Sequence, residues 1–235
     1  GVVGSGRKTA MSRESCLSRV RQAAQAGRAF RVHLNPVAPN VGYVGATGDL
    51  CDKMAAEVEA VGGKAFRVPD LLAARELLAT LLEEAAAKSA LCWEHDVLAR
   101  LGLVEFLQSR SIVRHSYKSL SQLDFPAQRA AMLVCDIGIS SVDCAIAETG
   151  TLMVCSRPGQ ERVASLLPFM HVAIVERQQI VPDLIDAFGI LHERGLQNLP
   201  SNTTFITGPS KTGDIELQLT TGVHGPKNWR VILVG

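Results

Sequence analysis

The chain has 235 residues and a mass of 25.2 kDa, enough for one sizeable domain or for one domain with an appendage. Hydrophobic residues make up 47% and charged residues 20%, a globular composition that excludes wholesale disorder. The formal net charge of +1 excludes a uniformly basic nucleic-acid coat, and no apolar run reaches the roughly 18 residues of a membrane span.

The predicted elements follow from apolar periodicity and from Gly, Pro and Asp boundaries. We predict helices at 11–26, 50–61, 70–88, 95–108, 126–131, 163–167, 183–194 and 214–219. We predict strands at 65–68, 89–93, 112–113, 132–136, 144–147, 151–156, 171–176, 204–207 and 230–234. Apolar strands that alternate with helices indicate an α/β fold, a Rossmann-like three-layer sandwich with a mostly parallel sheet, and an antiparallel excursion at 144–156.

The charge is unevenly distributed along the chain. Residues 1–35 hold seven basic groups and Glu14 alone among acidic ones, and the rest of the chain is net acidic. A proline- and glycine-containing stretch at 32–48 is typical of a linker. We therefore predict a basic helical arm and linker at 1–48 and an α/β domain at 49–235.

Cysteine and glycine spacing excludes the common cofactor motifs. The six cysteines are never closer than nine residues apart, so we expect neither zinc nor an iron–sulfur cluster in this chain. Buried reduced thiols of a cytoplasmic protein are the expectation instead. The histidines have no metal-binding spacing, and neither a dinucleotide fingerprint nor a P-loop is present.

The first unusual segment is 143–151, in which an apolar run leads directly into Glu148. A carboxylate at a strand end can act as a base or nucleophile, and we predict it as a catalytic group. Thr149, Gly150 and Thr151 are predicted ligand-binding neighbours. A plain hairpin in which Glu148 caps backbone amides is the alternative.

The second segment, 207–216, places a Gly-Pro turn, hydroxyls and an ammonium before the helix predicted at 214–219. Amide groups at a helix N-terminus and a cationic side chain bind anions. The predicted ligand-binding residues are Gly208, Pro209, Ser210, Lys211, Thr212, Asp214 and Glu216. A helix cap that serves only the backbone is the alternative.

Two further segments carry candidates. His224 lies in a glycine-rich loop and is predicted to take part in acid–base chemistry, with Gly225 beside it as a ligand-binding residue. Arg162 and Ser165 precede an apolar helix, an arrangement that favours anion binding, and we predict both as ligand-binding residues. For the histidine, a structural role is the alternative.

Taken together, the segments resemble the lactate-utilization (LUD) domain family. The resemblance rests on IAETGTL, SLLP followed by HVAIV, IVPD, TGPSKTGDIE and GVHGP, at 146–152, 165–175, 180–183, 207–216 and 222–226. It is dense over 132–235 and loose over 49–131, and Gly213 stands where alanine is frequent in the family. The small family member without cluster-binding cysteines is the most similar type.

The resemblance implies a component of L-lactate oxidation to pyruvate that acts beside iron–sulfur partner proteins and carries no cluster itself. It also implies a sheet like that of the ribose-phosphate isomerase, glucosamine-phosphate deaminase and CoA-transferase group, with Glu148 as the catalytic candidate and 208–212 as the anion site. Two alternatives stay open. One is a self-sufficient enzyme or binding protein for a phosphorylated or CoA-linked small molecule, and the other is a pure interaction module.

Overall fold

A computed structural model describes residues 13–27, 45–215, 218–221 and 225–235, without the side chains of Leu196 and of 212–221. The chain divides into two units, Gly1–Tyr43 and Val44–Gly235. The described part of the first unit is one helix whose side chains are exposed, as predicted for 11–26. Residues 32–44 of the predicted linker lie outside the described residues.

The described elements are as follows. The helices are α1 (Arg13–Gly27), α2 (Leu50–Ala60), α3 (Leu71–Glu84), α4 (Asp96–Arg100), α5 (Leu103–Ser109), α6 (Tyr117–Leu120), α7 (Phe125–Leu133) and α8 (Leu184–Glu193). The strands are β1 (Lys64–Val68), β2 (Ser89–Cys92), β3 (Val113–His115), β4 (Ile137–Ser140), β5 (Cys144–Ile146), β6 (Thr151–Cys155), β7 (Met170–Glu176), β8 (Ile180–Val181), β9 (Thr203–Ile206), β10 (Lys211–Ile215), β11 (Gln218–Thr221) and β12 (Asn228–Val234). Short 3-10 turns lie at Arg162–Ser165, Arg177–Gln179 and Leu196–Asn198.

Aspartate caps fix where several helices begin. The carboxylate of Asp70 accepts a hydrogen bond from Ala73 N at 2.8 Å, and Asp49, Asp124 and Asp183 cap α2, α7 and α8 in the same way. Such a cap satisfies amides that have no partner inside the helix. None of the described helices is long and apolar enough to cross a membrane.

In the described part of the chain, six strands form one parallel sheet in the order β1-β12-β7-β4-β2-β3. Every residue of β4 and β7 is buried, as expected of a parallel sheet that is covered on both faces. The predicted α/β fold with a mostly parallel sheet is therefore confirmed.

A second sheet has the order β8-β5-β6-β9 and contains the predicted antiparallel excursion. Alternate residues of β5 and β6 point to opposite sides. Ala145 and Leu152 join the main core, whereas Ile146 and Met153 pack with Ala187 of α8 in a smaller core. Because both faces are buried, these strands are apolar at nearly every position.

The chain leaves β2 and β4 in opposite directions although these strands are neighbours. β2 continues through α4 and α5 to β3 on one side, whereas β4 continues to β7 on the other. The carboxyl ends of β2 and β4 therefore flank a topological switch point, the place where open α/β sheets bind ligands.

Three local predictions were wrong in instructive ways. In the strand predicted at 132–136, the first two residues are the end of α7, the other three form a turn, and the strand begins only at Ile137. The helix predicted at 95–108 is broken into α4 and α5 at Gly102, whose φ is 73°. The helix predicted at 70–88 stops at Glu84, and two residues later Ala86 has a φ of 46°.

The helix predicted at 214–219 is also wrong, because β10 and β11 pair there as antiparallel strands. The run Asp-Ile-Glu-Leu-Gln-Leu alternates polar and apolar residues, the pattern of a strand, and the helical prediction overlooked that alternation. At 163–167 the structure has the shorter 3-10 turn Arg162–Ser165. The strand β8 and the helix α6 were not predicted.

Candidate functional site

The predicted segments 143–151 and 207–216 are joined by a chain of hydroxyl groups. Thr149 Oγ1 lies 2.7 Å from Thr151 Oγ1, which in turn lies 2.7 Å from Thr207 Oγ1. Thr207 directly follows the strand β9, which pairs with β6, so strand pairing holds the two segments together. The structure thus brings Thr149, Thr151 and the turn that begins at Gly208 into one region.

The glycines of these motifs let the chain approach α2 closely. Gly150 has a φ of 63°, and a Cβ added there would lie 2.6 Å from Val58 N. Gly208 has a φ of 89°, and its Cβ would lie 2.9 Å from Val61 O. Both positions therefore exclude other residues for reasons of packing.

The segment 207–216 also contacts Gly225 and Pro226 of the segment 222–226. Ser210 N donates to Pro226 O at 3.0 Å, and a Cβ on Gly225 would lie 3.1 Å from Ser210 Cβ. Lys211 Nζ donates to Val61 O at 2.7 Å, at the C-terminus of α2. Pro209 is buried. In the structure Lys211 thus caps the C-terminus of α2. Residues 211–215 and 218–221 are strands, so the helix N-terminus that was predicted to bind an anion is absent from them.

Glu148 lies at the end of β5, half-buried, and its backbone N–H donates to Pro182 O at 3.1 Å. Its predicted catalytic companion His224 lies outside the described residues, as does Glu216. The side chains of Thr212 and Asp214 also lie outside the description. A catalytic pair of Glu148 and His224 therefore stays a prediction.

Arg162 and Ser165 lie on the 3-10 turn. Ser165 is 3% exposed, and its hydroxyl donates to Arg162 O at 2.9 Å, so it serves the turn itself. Arg162 is exposed and lines a cavity of about 490 Å³ with Tyr117 and Asn202. The described residues of the segments 143–151, 207–216 and 222–226 do not line that cavity.

Several cavities adjoin at the carboxyl end of β2. An apolar one of about 300 Å³ is lined by Trp93, Tyr117 and Met132, and one of about 450 Å³ by Trp93, His95 and Arg114. A polar one of about 320 Å³ lies between the ends of β2 and β4. The last is named the switch-point cleft, and it is lined by Glu94, His95, Asp96, Val142, Asp143, Arg157, Gln160, Gln179 and Arg194.

Two arginines converge on one buried carboxylate in the switch-point cleft. The side chain of Asp143 is 2% exposed, and its Oδ1 accepts hydrogen bonds from Arg157 Nη2 and from Arg194 Nη2, the latter at 2.6 Å. Its Oδ2 accepts from Cys155 N at 2.7 Å. Asp143 thereby fixes the position of both guanidinium groups, which are 43% and 25% exposed.

A tight turn places Arg157 and Gln160 over the end of β2. Gln160 N donates to Arg157 O at 2.8 Å, and Glu94 N donates to Gly159 O at 2.7 Å. Gln160 Nε2 donates to Glu94 O at 3.2 Å, while no donor among the described residues reaches its buried Oε1. One wall of the cleft thus holds an unused hydrogen-bond acceptor.

His95 forms the opposite edge of the cleft. Its Nδ1 accepts a hydrogen bond from Val97 N at 3.2 Å and so caps α4. Burial lowers the pKa of His95, so the ring is neutral at pH 7. Because Nδ1 is an acceptor, the neutral ring carries its hydrogen on Nε2 and can donate it.

Sequence reasoning did not single out His95, Asp143, Arg157, Gln160 or Arg194. They come from the ends of β2, β4, β6 and α8, and Arg194 follows Asp143 by 51 residues. The available signal was polar residues directly after apolar strands of a parallel sheet. Among the described residues, no group of three or more His, Cys, Asp and Glu side chains is arranged to hold a metal ion.

Comparisons with known proteins agree on one family. The pattern of the LUD domain matches residues 51–234. The chain is 35% identical over 148 residues to lactate utilization protein C of Halalkalibacterium halodurans, with 62% of each chain covered. It is 34% identical over 158 residues to the Shouchella clausii protein of that name, covering 63% of this chain and 65% of the relative. It is 32% identical over 163 residues to lactate utilization protein C 1 of Bacillus mycoides, with 68% of each covered.

A solved structure shows the same fold. The crystal structure of a DUF162 family protein from Deinococcus radiodurans superposes with a TM-score of 0.54 at 20% identity. The match covers 79% of this chain and 96% of that one. The match of 51–234 and the identity over two thirds of a curated relative establish the assignment: the chain belongs to the LUD domain family.

Proposed function

We propose that the chain is a component of an L-lactate oxidation system, in which lactate becomes pyruvate, and that it acts in the cytoplasm beside iron–sulfur partner proteins. The observation that carries the proposal is the 35% identity over 148 residues to a protein named lactate utilization protein C. Membership of the LUD family over 51–234 supports it.

The chemistry of the reaction explains why partners are needed. Oxidation of lactate to pyruvate releases two electrons and two protons, and iron–sulfur clusters are suitable electron carriers. Clusters are held by thiolates, and burial raises the pKa of Cys92 and of Cys144 to about 12. The six cysteines are never closer than nine residues apart in the sequence, which supports assigning the clusters to partner proteins.

The direct test is growth on L-lactate. Deletion of the gene is expected to abolish growth on L-lactate and to leave growth on pyruvate, the product, unchanged. A plasmid copy of the chain should restore growth. A deletion strain that grows on L-lactate and consumes it at the normal rate would contradict the proposal.

The partner assignment has a separate test. A tagged chain recovered from cells that grow on L-lactate is expected to bring iron–sulfur proteins with it, seen as bound iron and acid-labile sulfide. The tag alone is the control. Iron no higher than in that control would contradict the partnership.

A second candidate is an enzyme or binding protein for a phosphorylated or CoA-linked small molecule, with Glu148 and the 208–212 turn at its site. The observation that favours it is the meeting of the motifs, through the hydroxyls of Thr151 and Thr207 and through the Ser210 N–Pro226 O bond. Inorganic phosphate or acetyl-CoA should then raise the melting temperature. If neither ligand does so, this candidate loses its basis.

A further inference from the structure

The switch-point cleft lies where the topology of the sheet favours ligand binding, and none of the described residues that were predicted as catalytic or ligand-binding lines it. Its volume of about 320 Å³ is at the lower end for ligand pockets. It is a polar pocket whose floor is the buried carboxylate of Asp143. A small polar ligand therefore fits it better than a nucleotide.

The guanidinium groups provide an excess of positive charge and of donors. Arg157 and Arg194 together carry two positive charges against the single charge of Asp143. The described hydrogen bonds of Arg157 use one guanidinium nitrogen, and those of Arg194 use Nη1 and Nη2, toward Cys155 Sγ and Asp143. A guanidinium has five N–H donors in a planar fork that matches a carboxylate. Donors are thus left for a second carboxylate, which would come from a ligand.

The other wall of the cleft suits a hydroxyl group. Gln160 Oε1 is a buried acceptor that no donor from the described residues reaches. A buried acceptor without a donor is unfavourable, so a ligand hydroxyl that donates to it gains affinity. His95 Nε2, which carries a hydrogen, can donate to an oxygen of the same ligand.

The remaining charges limit the charge of the ligand. The carboxylate of Glu94 is 3.7 Å from Lys118 Nζ, and Asp96 is exposed at the rim of the cleft. Lys118 balances Glu94, and Asp143 balances one of the two arginines. The charge of the other arginine is opposed only by that of Asp96 among the residues that line the cleft. The cost of removing an ion from water rises steeply with its charge, so the single remaining arginine charge matches a singly charged carboxylate better than a doubly charged phosphate.

We propose that the switch-point cleft binds a small monocarboxylate that carries a hydroxyl group on the carbon next to the carboxylate. The carboxylate binds Arg157 and Arg194, and the hydroxyl donates to Gln160 Oε1 and accepts from His95 Nε2. The chemistry of the cleft defines this class, whereas the choice of L-lactate as a member of it rests on the proposed function.

The test is calorimetric titration of the full chain with L-lactate, acetate and inorganic phosphate. L-lactate is expected to bind, and acetate, which lacks the hydroxyl, to bind about tenfold more weakly, equivalent to about 1.4 kcal/mol. Phosphate is expected to bind more weakly than L-lactate. Absence of L-lactate binding, or equal affinity for acetate and L-lactate, would overturn the proposal.

Variants separate the two halves of the site. Arg157→Gln should weaken both carboxylates about tenfold or more. Gln160→Leu should remove the preference for L-lactate and leave acetate binding unchanged. The matched control is Arg110→Gln, because Arg110 is an arginine paired with Glu83 at 2.8 Å away from the cleft. Circular dichroism confirms that each variant is folded, and Arg157→Gln with the same L-lactate affinity as the control would refute the site.

Failure of this proposal and failure of the proposed function give different results. If the purified chain binds L-lactate but the deletion strain grows on it normally, the cleft stands and the lactate-oxidation role fails. If the deletion strain fails to grow but the chain binds none of the three probes, the cleft assignment alone is wrong.

Discussion

Substituting Gly138 by alanine tests the closest approach between the central sheet and the segment that lines the cavities. Gly138 lies in β4, and an added Cβ would be 1.7 Å from Ala164 O and 2.8 Å from Ala164 C. The Arg162–Ser165 turn would have to move by about 1.7 Å to reach ordinary contact at 3.4 Å. Ala164 is 2% exposed and packed in the main core, so that movement disturbs the core.

The expected cost follows from two opposing effects. Overpacking a core costs typically about 1–3 kcal/mol, and more where backbone must shift. Replacing glycine by alanine gains back about 0.5–1 kcal/mol from the unfolded chain. We expect Gly138→Ala to lower the free energy of unfolding by about 2 kcal/mol or more.

Urea unfolding measures this cost. With a slope of about 2 kcal/mol per M, the midpoint should fall by about 1 M. The fluorescence of Trp93 should change as well, because its Nε1 donates to Glu161 O at 2.9 Å in the displaced segment. The matched control is Gly189→Ala in α8, where nothing lies within 4 Å of the added Cβ, and there we expect stabilisation by about 0.5–1 kcal/mol.

The opposite signs make the comparison decisive. If Gly138→Ala is as stable as the wild type, or if both variants are stabilised, the Arg162–Ser165 turn does not lie against β4 as described. The placement of Arg157 and Gln160, which precede that turn, would then be unsupported as well.

Three further predictions concern titration, thiols and charge. Burial lowers the pKa of His171 from 6.5 to about 4, so between these pH values the unfolded chain binds a proton that the folded chain excludes. The free energy of unfolding, measured by urea titration, should therefore fall by about 3 kcal/mol between pH 6.5 and pH 4. The variant His171→Gln should lose that pH dependence. Cys16 alone is exposed among the six cysteines, so a thiol reagent should label one group per native chain, and none in Cys16→Ser. Asp143→Asn should destabilise the chain by about 2 kcal/mol or more, because it removes the buried charge that both arginines contact, whereas exposed Asp186→Asn should change the urea midpoint little.

Local patterns predicted the elements whose cause is local. The helix at 50–60 could be read from the spacing of Met54 and Val58, which are buried, and from Asp49, which caps it. The hairpin of β5 and β6 could be read from two apolar runs around Gly150. In these places the sequence period and the tertiary packing demand the same structure.

Short apolar runs were ambiguous. Met132 and Leu133 suit a helix end as well as a strand, and the deciding contacts come from elsewhere: the carboxylate of Asp136 accepts from the backbone N–H groups of Lys88 and Ser89, both at 2.9 Å. Those contacts span 47 and 48 residues and leave no local periodic signal.

The candidate site could be predicted only in part, because it too depends on contacts between residues that are far apart in the sequence. The glycine-rich motifs stand out in the sequence, but Gly150 and Gly208 are explained by close packing on α2. The arginines around Asp143 are separated from it by 14 and 51 residues, and a single sequence does not reveal such pairings. Strand order, which places the cleft, also depends on long-range pairing.

The central claim, that the chain is required for lactate oxidation, is tested most directly in extracts of cells grown with L-lactate. L-lactate-dependent reduction of an electron-accepting dye is measured in extracts with and without the chain, and after purified chain is added back. We predict that activity is lost without the chain and restored by its addition. Equal activity in the extract that lacks the chain would contradict the account.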